Sequence, residues 1–343
     1  MPRCVRATTS SLVAGGLCLL VACDPDGANA SGAEQPAPTS ATTPSDPPAS
    51  APAQDPTKPS AELAAELAEH ESIIPSTEFE PVPETDCAEG YQVQDLGEYG
   101  KFYIQPQTGD LIKRELLAGK IWEPHVHALL ERYVKPGSTV VDVGSHIGTH
   151  LVSIARLVGP EGTVVGFEPQ AQMFKELRCN IQLNGITNAS PQRAGAGDRY
   201  GELELRKVDP TNEGGVAAGK GGDKAPLRPL DGYTFENLSV LKIDVEGFED
   251  QVLDGARNTI ATHKPVVFIE IQGGKDWDSA PPEVREKIAN TANKLTAFGY
   301  RVDRIGVFDY IALPKGSPPP PRPTPENTPI MAKPEPAPTP PTE

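Results

Sequence analysis

The chain has 343 residues and a formal net charge of −16, from 47 acidic and 31 basic residues. This acidity, without a stripe of lysine and arginine interleaved with aromatic residues, argues against a nucleic-acid partner. With 38 prolines and ends rich in Ala, Ser and Thr, only roughly 215 to 225 residues are left to fold, which is enough for one domain with a single core.

The amino terminus is similar to a bacterial export signal. Arg3 and Arg6 precede an apolar run at residues 12–22, which is too short to span a bilayer and has about the length of a signal-peptide core. The run ends in LVAC, which resembles the lipobox of bacterial lipoproteins, in which the cysteine is acylated. We predict a signal peptide at residues 1–22 and a lipid anchor at Cys23 in the cell envelope. The alternatives are a chance cysteine and a cytoplasmic protein.

Two segments are almost free of large apolar side chains and cannot bury enough surface to offset the entropy of ordering. We predict a disordered tether at residues 23–62 and a disordered proline-rich tail at residues 314–343. A tether of about 40 residues can extend on the order of 120 Å, which suits a lipid-anchored domain. Between these segments we predict an N-terminal extension at residues 63–98 and a folded domain at residues 99–313.

The elements ahead of the main fold are short. Residues 61–71 favour a helix that either caps the tether or lies free. Residues 101–105 and 110–114 predict a small hairpin or lid, with Gly109 in its turn. Pro124 suits the first turn of a helix that reaches Tyr133.

Removal of the leader and acylation of Cys23 leave two cysteines, Cys87 and Cys179. In an oxidising envelope these two can form a disulfide. Apolar residues of a helix predicted at residues 171–184 share one face, and Cys179 points away from that face. Cys179 can therefore meet the segment that contains Cys87, and two unpaired thiols are the alternative.

Residues 139–168 have the order strand, glycine turn, helix, strand and acid. Val140 and Val141 begin a buried strand that ends in Asp142, and two glycines then turn the chain into a helix at residues 149–158. The next strand, at residues 164–167, ends at Glu168. Doubly wound folds place at this position the carboxylate that accepts the ribose hydroxyls of a nucleoside.

The turn has the pattern D-x-G-x-x-x-G, from Asp142 through Gly144 to Gly148. A dinucleotide site requires G-x-G-x-x-G and no acid, because an acid before the glycines repels pyrophosphate. An acid suits a cationic ligand instead. S-adenosylmethionine carries an ammonium and a sulfonium group, so the pattern favours this cofactor over NAD.

The remaining chain alternates strands and helices, which indicates an α/β fold with a mostly parallel sheet. Residues 202–208 alternate like an extra strand, and residues 212–224, which are rich in glycine, are predicted to form a mobile flap over the acceptor. The other predicted elements are strands at 192–194, 240–243, 266–271, 300–303 and 308–313, and a helix at 282–298.

Five motifs carry a resemblance to a known family. They are WEPH, FEPQAQMFKELRCNIQLNG, RPLDG, VLKIDVEGFEDQVLDGA and KPVVFIEIQG, and over residues 99–313 the chain resembles the FkbM-type S-adenosylmethionine-dependent methyltransferases. The resemblance implies a Rossmann-like class I methyltransferase fold, with a seven-stranded mostly parallel sheet and helices on both faces. It implies methylation of a hydroxyl on a small molecule or saccharide. His146 and Ser145 depart from the Asn and Ala that are usual in the family.

Candidate site residues follow from the strand ends, where ligands of such sheets bind. His146, Asp244 and Glu246 are the predicted catalytic residues. For Asp142 the alternative is a role in holding the turn, and for Asp198 it is an ordinary turn. The predicted cofactor-binding residues are Asp142, Gly144, Ser145, Gly148, Glu168, Ala196 and Asp198.

No metal is predicted as the main interpretation. A minority alternative has Asp244 and Glu246 hold a divalent cation with help from Glu270 and His146. His125 and His127 are two positions apart on a helix and face different directions, so they are not expected to form a metal pair. Lys242 is expected either to face the opposite side of the sheet or to pair with an acid.

The predicted export signal and the predicted cofactor conflict, because S-adenosylmethionine is made in the cytosol and an exported enzyme works outside it. The predicted function is a methyltransferase. The alternative is an exported, lipid-anchored binding protein that has the methyltransferase fold and no catalysis.

Overall fold

The computed structural model describes residues 55–207, 212, 214–271 and 280–320. The predicted signal peptide, Cys23, nearly all of the tether and most of the tail lie outside these residues. Within the described ranges, no helix is long and apolar enough to cross a membrane.

The secondary structure follows the predicted alternation. The helices are α1 (Ala61–Glu69), α2 (Glu84–Ala88), α3 (Leu111–Leu117), α4 (Pro124–Tyr133), α5 (Thr149–Val158), α6 (Ala171–Leu183), α7 (Glu249–Asp254), α8 (Arg257–His263) and α9 (Pro282–Ala297). The strands are β1 (Gln92–Asp95), β2 (Lys101–Ile104), β3 (Thr139–Val143), β4 (Thr163–Phe167), β5 (Ala189–Gln192), β6 (Gly195–Ala196), β7 (Gly201–Lys207), β8 (Val216–Ala218), β9 (Lys224–Arg228), β10 (Leu238–Ile243), β11 (Val266–Glu270), β12 (Tyr300–Arg304) and β13 (Asp309–Pro314).

Seven strands form one sheet in the order β12-β13-β11-β10-β3-β4-β5. The five strands from β11 to β5 run parallel, whereas β13 is antiparallel to both of its neighbours. The central strands are mostly apolar, as is usual where helices cover both faces of a sheet. The predicted seven-stranded, mostly parallel sheet and Rossmann-like fold are confirmed.

Alternate residues of β3 enter the two halves of the core. Val141 and Val143 pack with residues of α7, α8 and α9, whereas Val140 packs with residues of α4, α5 and α6. This alternation follows from the two-residue period of a strand. Helices therefore lie on both faces of the sheet, as the resemblance implied.

Helix α1 packs on the domain, so the alternative that it lies free is wrong. Leu63 is 2% exposed, and Glu66 accepts a hydrogen bond from the Tyr200 amide at 3.0 Å. His70 stacks on the Tyr200 ring, with the ring centroids 3.9 Å apart. The N-terminal extension is thereby ordered by contacts with the methyltransferase-like core.

The predicted hairpin at residues 101–105 and 110–114 is wrong in its second half. β2 pairs with β1 on its other side, and residues after Asp110 form α3. Asp110 is the N-cap of α3, and its Oδ1 accepts the Lys113 amide at 2.9 Å. A capped helix start of this kind outweighs a short alternating pattern.

Cys87 and Cys179 form a disulfide that joins residues 92 positions apart. Both cysteines are buried, and they pack with Val82 and Tyr103. The disulfide is the first of the two alternatives left open by the sequence. It fastens the N-terminal extension to α6.

Replacing both cysteines by serine is expected to lower the free energy of unfolding by about 4 kcal/mol, because the unfolded chain loses a large closed loop. Urea unfolding with and without dithiothreitol measures this effect. The urea midpoint of the double variant should not change when dithiothreitol is added. If dithiothreitol also failed to lower the urea midpoint of the wild type, the prediction would be contradicted.

Candidate active site

The glycine turn after β3 is packed against two neighbouring strands. Gly144 has φ +86°, and a Cβ there would lie 1.8 Å from the Asp244 carbonyl oxygen. The amides of Gly144 and Ser145 both donate to the Phe167 carbonyl at 2.9 Å. Only glycine satisfies both the left-handed conformation and the close approach. The turn is therefore fixed between the ends of β4 and β10.

Gly144→Ala is expected to lower the free energy of unfolding by about 4 kcal/mol, because backbone strain and a clash with immobile backbone add together. Gly159→Ala is the matched control. Gly159 also has a positive φ, +69°, but a Cβ there meets nothing within 4 Å, so about 1 kcal/mol is expected. Urea unfolding of both variants checks the difference, and equal losses would contradict this account of the turn.

A cavity of about 130 Å³ lies at the carboxyl ends of β3, β4 and β10. Apolar side chains, including Ile112, Phe167 and Phe248, form part of its wall. Six of the predicted site residues meet there, namely Gly144, His146, Glu168, Ala196, Asp244 and Glu246. Strand ends far apart in sequence are thus brought together in one place.

Four predicted cofactor-binding residues are not among those that line the cavity. Asp142 is 1% exposed and lies 3.7 Å from Lys242 Nζ, because strand alternation directs it to the same face as Val140. Ser145 donates its hydroxyl to the Asp142 carbonyl at 2.9 Å. A Cβ on Gly148 would contact Leu177. Asp198 instead pairs with Arg199 at the surface.

These positions favour the alternative role of Asp142, which is to hold the turn. They also leave Asp198 as a surface turn residue, and not as a contact of a ligand in the cavity.

Glu168 is held so that its carboxylate faces this cavity. Its Oε2 accepts the His146 amide at 2.9 Å and its Oε1 accepts the Gln170 amide at 2.8 Å. Each carboxylate oxygen has a second lone pair available. The arrangement therefore fits the two adjacent hydroxyls of a ribose, and the apolar wall near Ala196 and Phe248 fits an adenine ring.

Burial raises the pKa of Glu168 from 4.5 to about 7. A group whose pKa is higher in the folded state stabilises the fold below its unfolded pKa, and that contribution is lost as pH rises through the folded pKa. Between about pH 5 and pH 8, the wild type should therefore lose stability relative to Glu168→Gln, by up to about 3 kcal/mol. Urea unfolding of both proteins across this range measures the difference, and parallel pH profiles would contradict it.

His146 forms a pair with Asp110 that the sequence did not reveal. His146 Nε2 lies 3.2 Å from Asp110 Oδ2, which also accepts the Gly214 amide at 2.8 Å. Burial alone would raise the pKa of Asp110, but hydrogen bonding, chiefly by His146, lowers it to about 2. An ionised Asp110 fixes the tautomer with hydrogen on Nε2 and leaves a lone pair on Nδ1.

His146 Nδ1 is buried and has no hydrogen-bond partner within the described ranges. No sequence pattern indicates the pair, because the two residues are 36 positions apart and Asp110 resembles an ordinary helix cap. The contact exists only because α3 packs over the glycine turn.

The described part of the predicted flap lies over the cavity. β8 pairs with β7, and Gly214 and residues of β8 line the cavity wall. Gly214 is further held by Gln170, which donates to its carbonyl at 3.4 Å. Residues 214–224 include the short strand β8, whereas residues 208–211 and 213 lie outside the described residues, and the mobility of the flap stays a prediction.

Lys242 pairs with acids, as one of the two alternatives stated. Its Nζ lies 3.0 Å from Asp244 Oδ2. Burial acts to lower the pKa of Lys242, but Asp244, Asp142 and Glu123 raise it well above its usual value. Burial and the neighbouring Asp244 raise the pKa of Glu270, which shares a hydrogen bond with Asp244. Asp244 is therefore an ionised group with a fixed orientation at the cavity.

His125 and His127 are both buried and have separate partners. His127 Nδ1 lies 3.0 Å from Ser153 Oγ, and the His127 ring stacks on that of His150. His125 Nε2 lies 3.0 Å from Asp309 Oδ2. Burial, followed by the charge of Lys242, lowers the pKa of His127 to about 4. The two side chains face different partners, as their spacing predicted.

Residues 142–302 match the model of the methyltransferase FkbM domain. Hexuronic acid methyltransferase AglP of Haloferax volcanii is 28% identical over 160 residues, which is 45% of this chain and 64% of that protein. Protein-L-isoaspartate O-methyltransferase 1 of Arabidopsis thaliana is 39% identical over 68 residues, 19% of this chain and 30% of that protein. The chain thus spans less than two thirds of the length of these curated relatives.

Among solved structures, methyltransferase FkbM from Methylobacillus flagellatus is 18% identical, with a TM-score of 0.34, and the match covers 59% of this chain and 52% of that chain. The family match begins at Asp142 and includes the turn, Glu168, Asp244 and Glu270. Over residues 142–302 the chain thus matches the FkbM family of methyltransferases, which belongs to the class of enzymes that use S-adenosylmethionine as their cofactor.

Proposed function

We propose that this protein transfers the methyl group of S-adenosylmethionine to a hydroxyl on a small molecule or saccharide. The observation that carries the proposal is the convergence of Gly144, Glu168, Asp244 and His146 on one cavity at the carboxyl edge of the sheet. Ligands of open α/β sheets bind at this edge.

The cofactor supplies an activated methyl group on a positively charged sulfur. Glu168 would bind the ribose hydroxyls. Gly144 has no side chain, and it would let the cofactor approach the backbone of the turn at the cavity wall. Asp244 and Glu246 would attract the cationic end of the cofactor and orient the acceptor hydroxyl. Because methyl transfer is an in-line displacement, such positioning supplies most of the rate.

His146 would take the proton of the acceptor hydroxyl on Nδ1. Asp110 holds the opposite nitrogen at 3.2 Å and would stabilise the imidazolium that forms. A base of this kind is needed for a hydroxyl acceptor, since an alcohol is a weak nucleophile until it loses its proton.

The charge of the cavity favours an uncharged acceptor. Glu168, Asp244 and Glu246 all line it, and a carboxylate-bearing sugar would meet repulsion from each. The similarity to a hexuronic acid methyltransferase supports a saccharide as the acceptor class, while the acidic wall supports neutral hexosides over hexuronates.

A transfer assay with methyl-labelled S-adenosylmethionine tests this proposal. The full chain is incubated with matched pairs of neutral methyl hexosides and the corresponding hexuronic acids, and labelled sugar and released S-adenosylhomocysteine are measured. We expect label in a neutral hexoside at least tenfold faster than in its hexuronic acid. Cofactor binding without transfer to either class would favour the alternative, a binding protein without catalysis.

We also propose that the protein is exported and anchored in the cell envelope by a lipid on Cys23. The lipobox-like residues before Cys23 support this location, and so does the disulfide between Cys87 and Cys179, since disulfides persist in oxidising compartments. Palmitate labelling of the wild type and of Cys23→Ser tests the anchor. Equal labelling of the two proteins would refute it.

A further inference from the structure

A second cavity, of about 10 Å³, adjoins Asp244 on the side of Lys242 and is lined by carboxylates. Glu123 precedes α4, Glu270 ends β11 and Asp309 begins β13. One oxygen from each of these three acids lies within 4.8 Å of the others. Oxygens that share one cation at about 2.4 Å lie at most about 5 Å apart. The spacing therefore permits a single ion among the three acids.

The negative charge of these three acids is not balanced by the nearby positive groups that the structure describes. Glu270 and Asp309 stand directly opposite each other on antiparallel strands, an arrangement of like charges that destabilises a sheet. The nearby ammonium group of Lys242 is already paired with Asp244 at 3.0 Å. Partly buried carboxylates of this density can all be ionised only if a further positive charge is bound among them.

His150 gives an independent indication of a ligand. Its side chain is 4% exposed, and its Nε2 has no hydrogen-bond partner in the part of the chain that the structure describes. Nε2 lies 3.5 Å from Glu123 Oε2.

We propose that Glu123, Glu270 and Asp309 bind one divalent cation, with the His150 imidazole beside the bound Glu123 carboxylate. Carboxylate ligands suit Mn²⁺. His125 lies 3.0 Å from Asp309 Oδ2 and would orient that ligand, as outer partners of metal sites commonly do.

This site differs from the cation site considered from the sequence. Glu270 lies with Glu123 and Asp309, whereas His146 pairs with Asp110. Glu123 belongs to the WEPH motif, to which the proposed methyl transfer assigns no task. An ion here would connect the segment before α4 to Glu270, the hydrogen-bond partner of Asp244, and so position a wall of the active site.

Titration of the EDTA-treated full chain with MnCl₂ tests the proposal, with free Mn²⁺ followed by electron paramagnetic resonance and stability by thermal unfolding. One ion per chain and a higher Tm are expected. Glu123→Gln and Asp309→Asn should each bind Mn²⁺ at least tenfold more weakly. Glu131→Gln is the matched control, because Glu131 is exposed on α4 and the charge change is the same.

The thermal stability of the variants gives a second readout. The difference in Tm between variant and wild type should change direction when Mn²⁺ is added. In EDTA, Glu123→Gln and Asp309→Asn should melt at or above the wild-type temperature, because each removes a carboxyl from a crowded cluster. With Mn²⁺, the wild type should melt highest. Variants that bind Mn²⁺ as tightly as the wild type would overturn the proposal.

The absence of saturable binding of Mn²⁺, Mg²⁺, Ca²⁺ and Zn²⁺ at about 1 mM would also overturn it. The metal site is independent of the proposed function. A chain that binds S-adenosylhomocysteine in EDTA and no metal refutes only the metal site, and the converse result refutes only the cofactor site.

Discussion

His146→Ala is expected to lower kcat for methyl transfer about 1,000-fold, the middle of the range for loss of a general base. The physical reason is the position of the imidazole, with Nε2 held 3.2 Å from Asp110 Oδ2 and Nδ1 buried without a hydrogen-bond partner among the described residues. Nδ1 is then the atom that accepts the proton. Single-turnover transfer from labelled S-adenosylmethionine to a hydroxyl acceptor measures the loss.

Two further variants separate a base from a structural residue. His146→Asn carries the side chain that the family usually has here, so it should keep cofactor affinity but lose most of kcat. Asp110→Asn should lower kcat about 10- to 100-fold, because the wrong tautomer becomes accessible. Unchanged Kd for S-adenosylhomocysteine in all three variants is the control for folding. If His146→Asn retained the wild-type kcat, His146 would be a hydrogen-bonding residue and not the base.

Glu168→Ala is expected to raise the Kd for S-adenosylhomocysteine about 100-fold. Two charge-assisted hydrogen bonds to the ribose, at about 1.5 kcal/mol each, account for this loss. Glu168→Gln keeps an acceptor oxygen without the charge. Its Kd should therefore lie between those of the wild type and Glu168→Ala, about tenfold above the wild-type value. Calorimetric titration measures all three proteins.

The control for this series is Glu161→Ala, since Glu161 is exposed before β4 and its loss should leave Kd unchanged. Glu168 also accepts the amides of His146 and Gln170, so thermal unfolding of Glu168→Ala checks that the fold persists. A folded Glu168→Ala protein with a Kd within twofold of the wild type would remove Glu168 from the ribose site.

The segment from β3 to β4 could be predicted closely from the sequence. Each of its strands begins with three β-branched residues, and Gly144 and Gly148 mark a turn that few other residues permit. The predicted helix at residues 149–158 has the same bounds as α5. Local sequence determines these features, and they bring Gly144, His146 and Glu168 to the cavity at one edge of the sheet.

The direction of single side chains was harder to predict. Asp142 ends a strand, as Glu168 does, but the pleat of β3 turns it toward Lys242, its register partner on β10. Lys242 is itself kept on that face by the same period-two rule. An acidic residue at a strand end therefore does not always line the cavity. Its position also depends on which face of the strand it occupies.

Partnerships across the fold could not be predicted from the sequence. Asp110 meets His146 because α3 packs over the turn. Asp309 meets both Glu123 and His125, and His125 is 184 positions away in the sequence. Such contacts depend on tertiary packing of segments that carry ordinary local signals. Glu123 belongs to the motif WEPH, but the motif alone does not indicate a chemical role for it.

The central claim is that the carboxyl edge of this sheet binds a cationic sulfur nucleoside. Calorimetric titration of the purified full chain with S-adenosylmethionine tests it most directly, with NAD as the competing nucleotide. We expect saturable binding of one S-adenosylmethionine per chain, with Kd at or below about 100 μM, and no heat with NAD. No heat with S-adenosylmethionine at that concentration, or equal binding of NAD, would contradict the account.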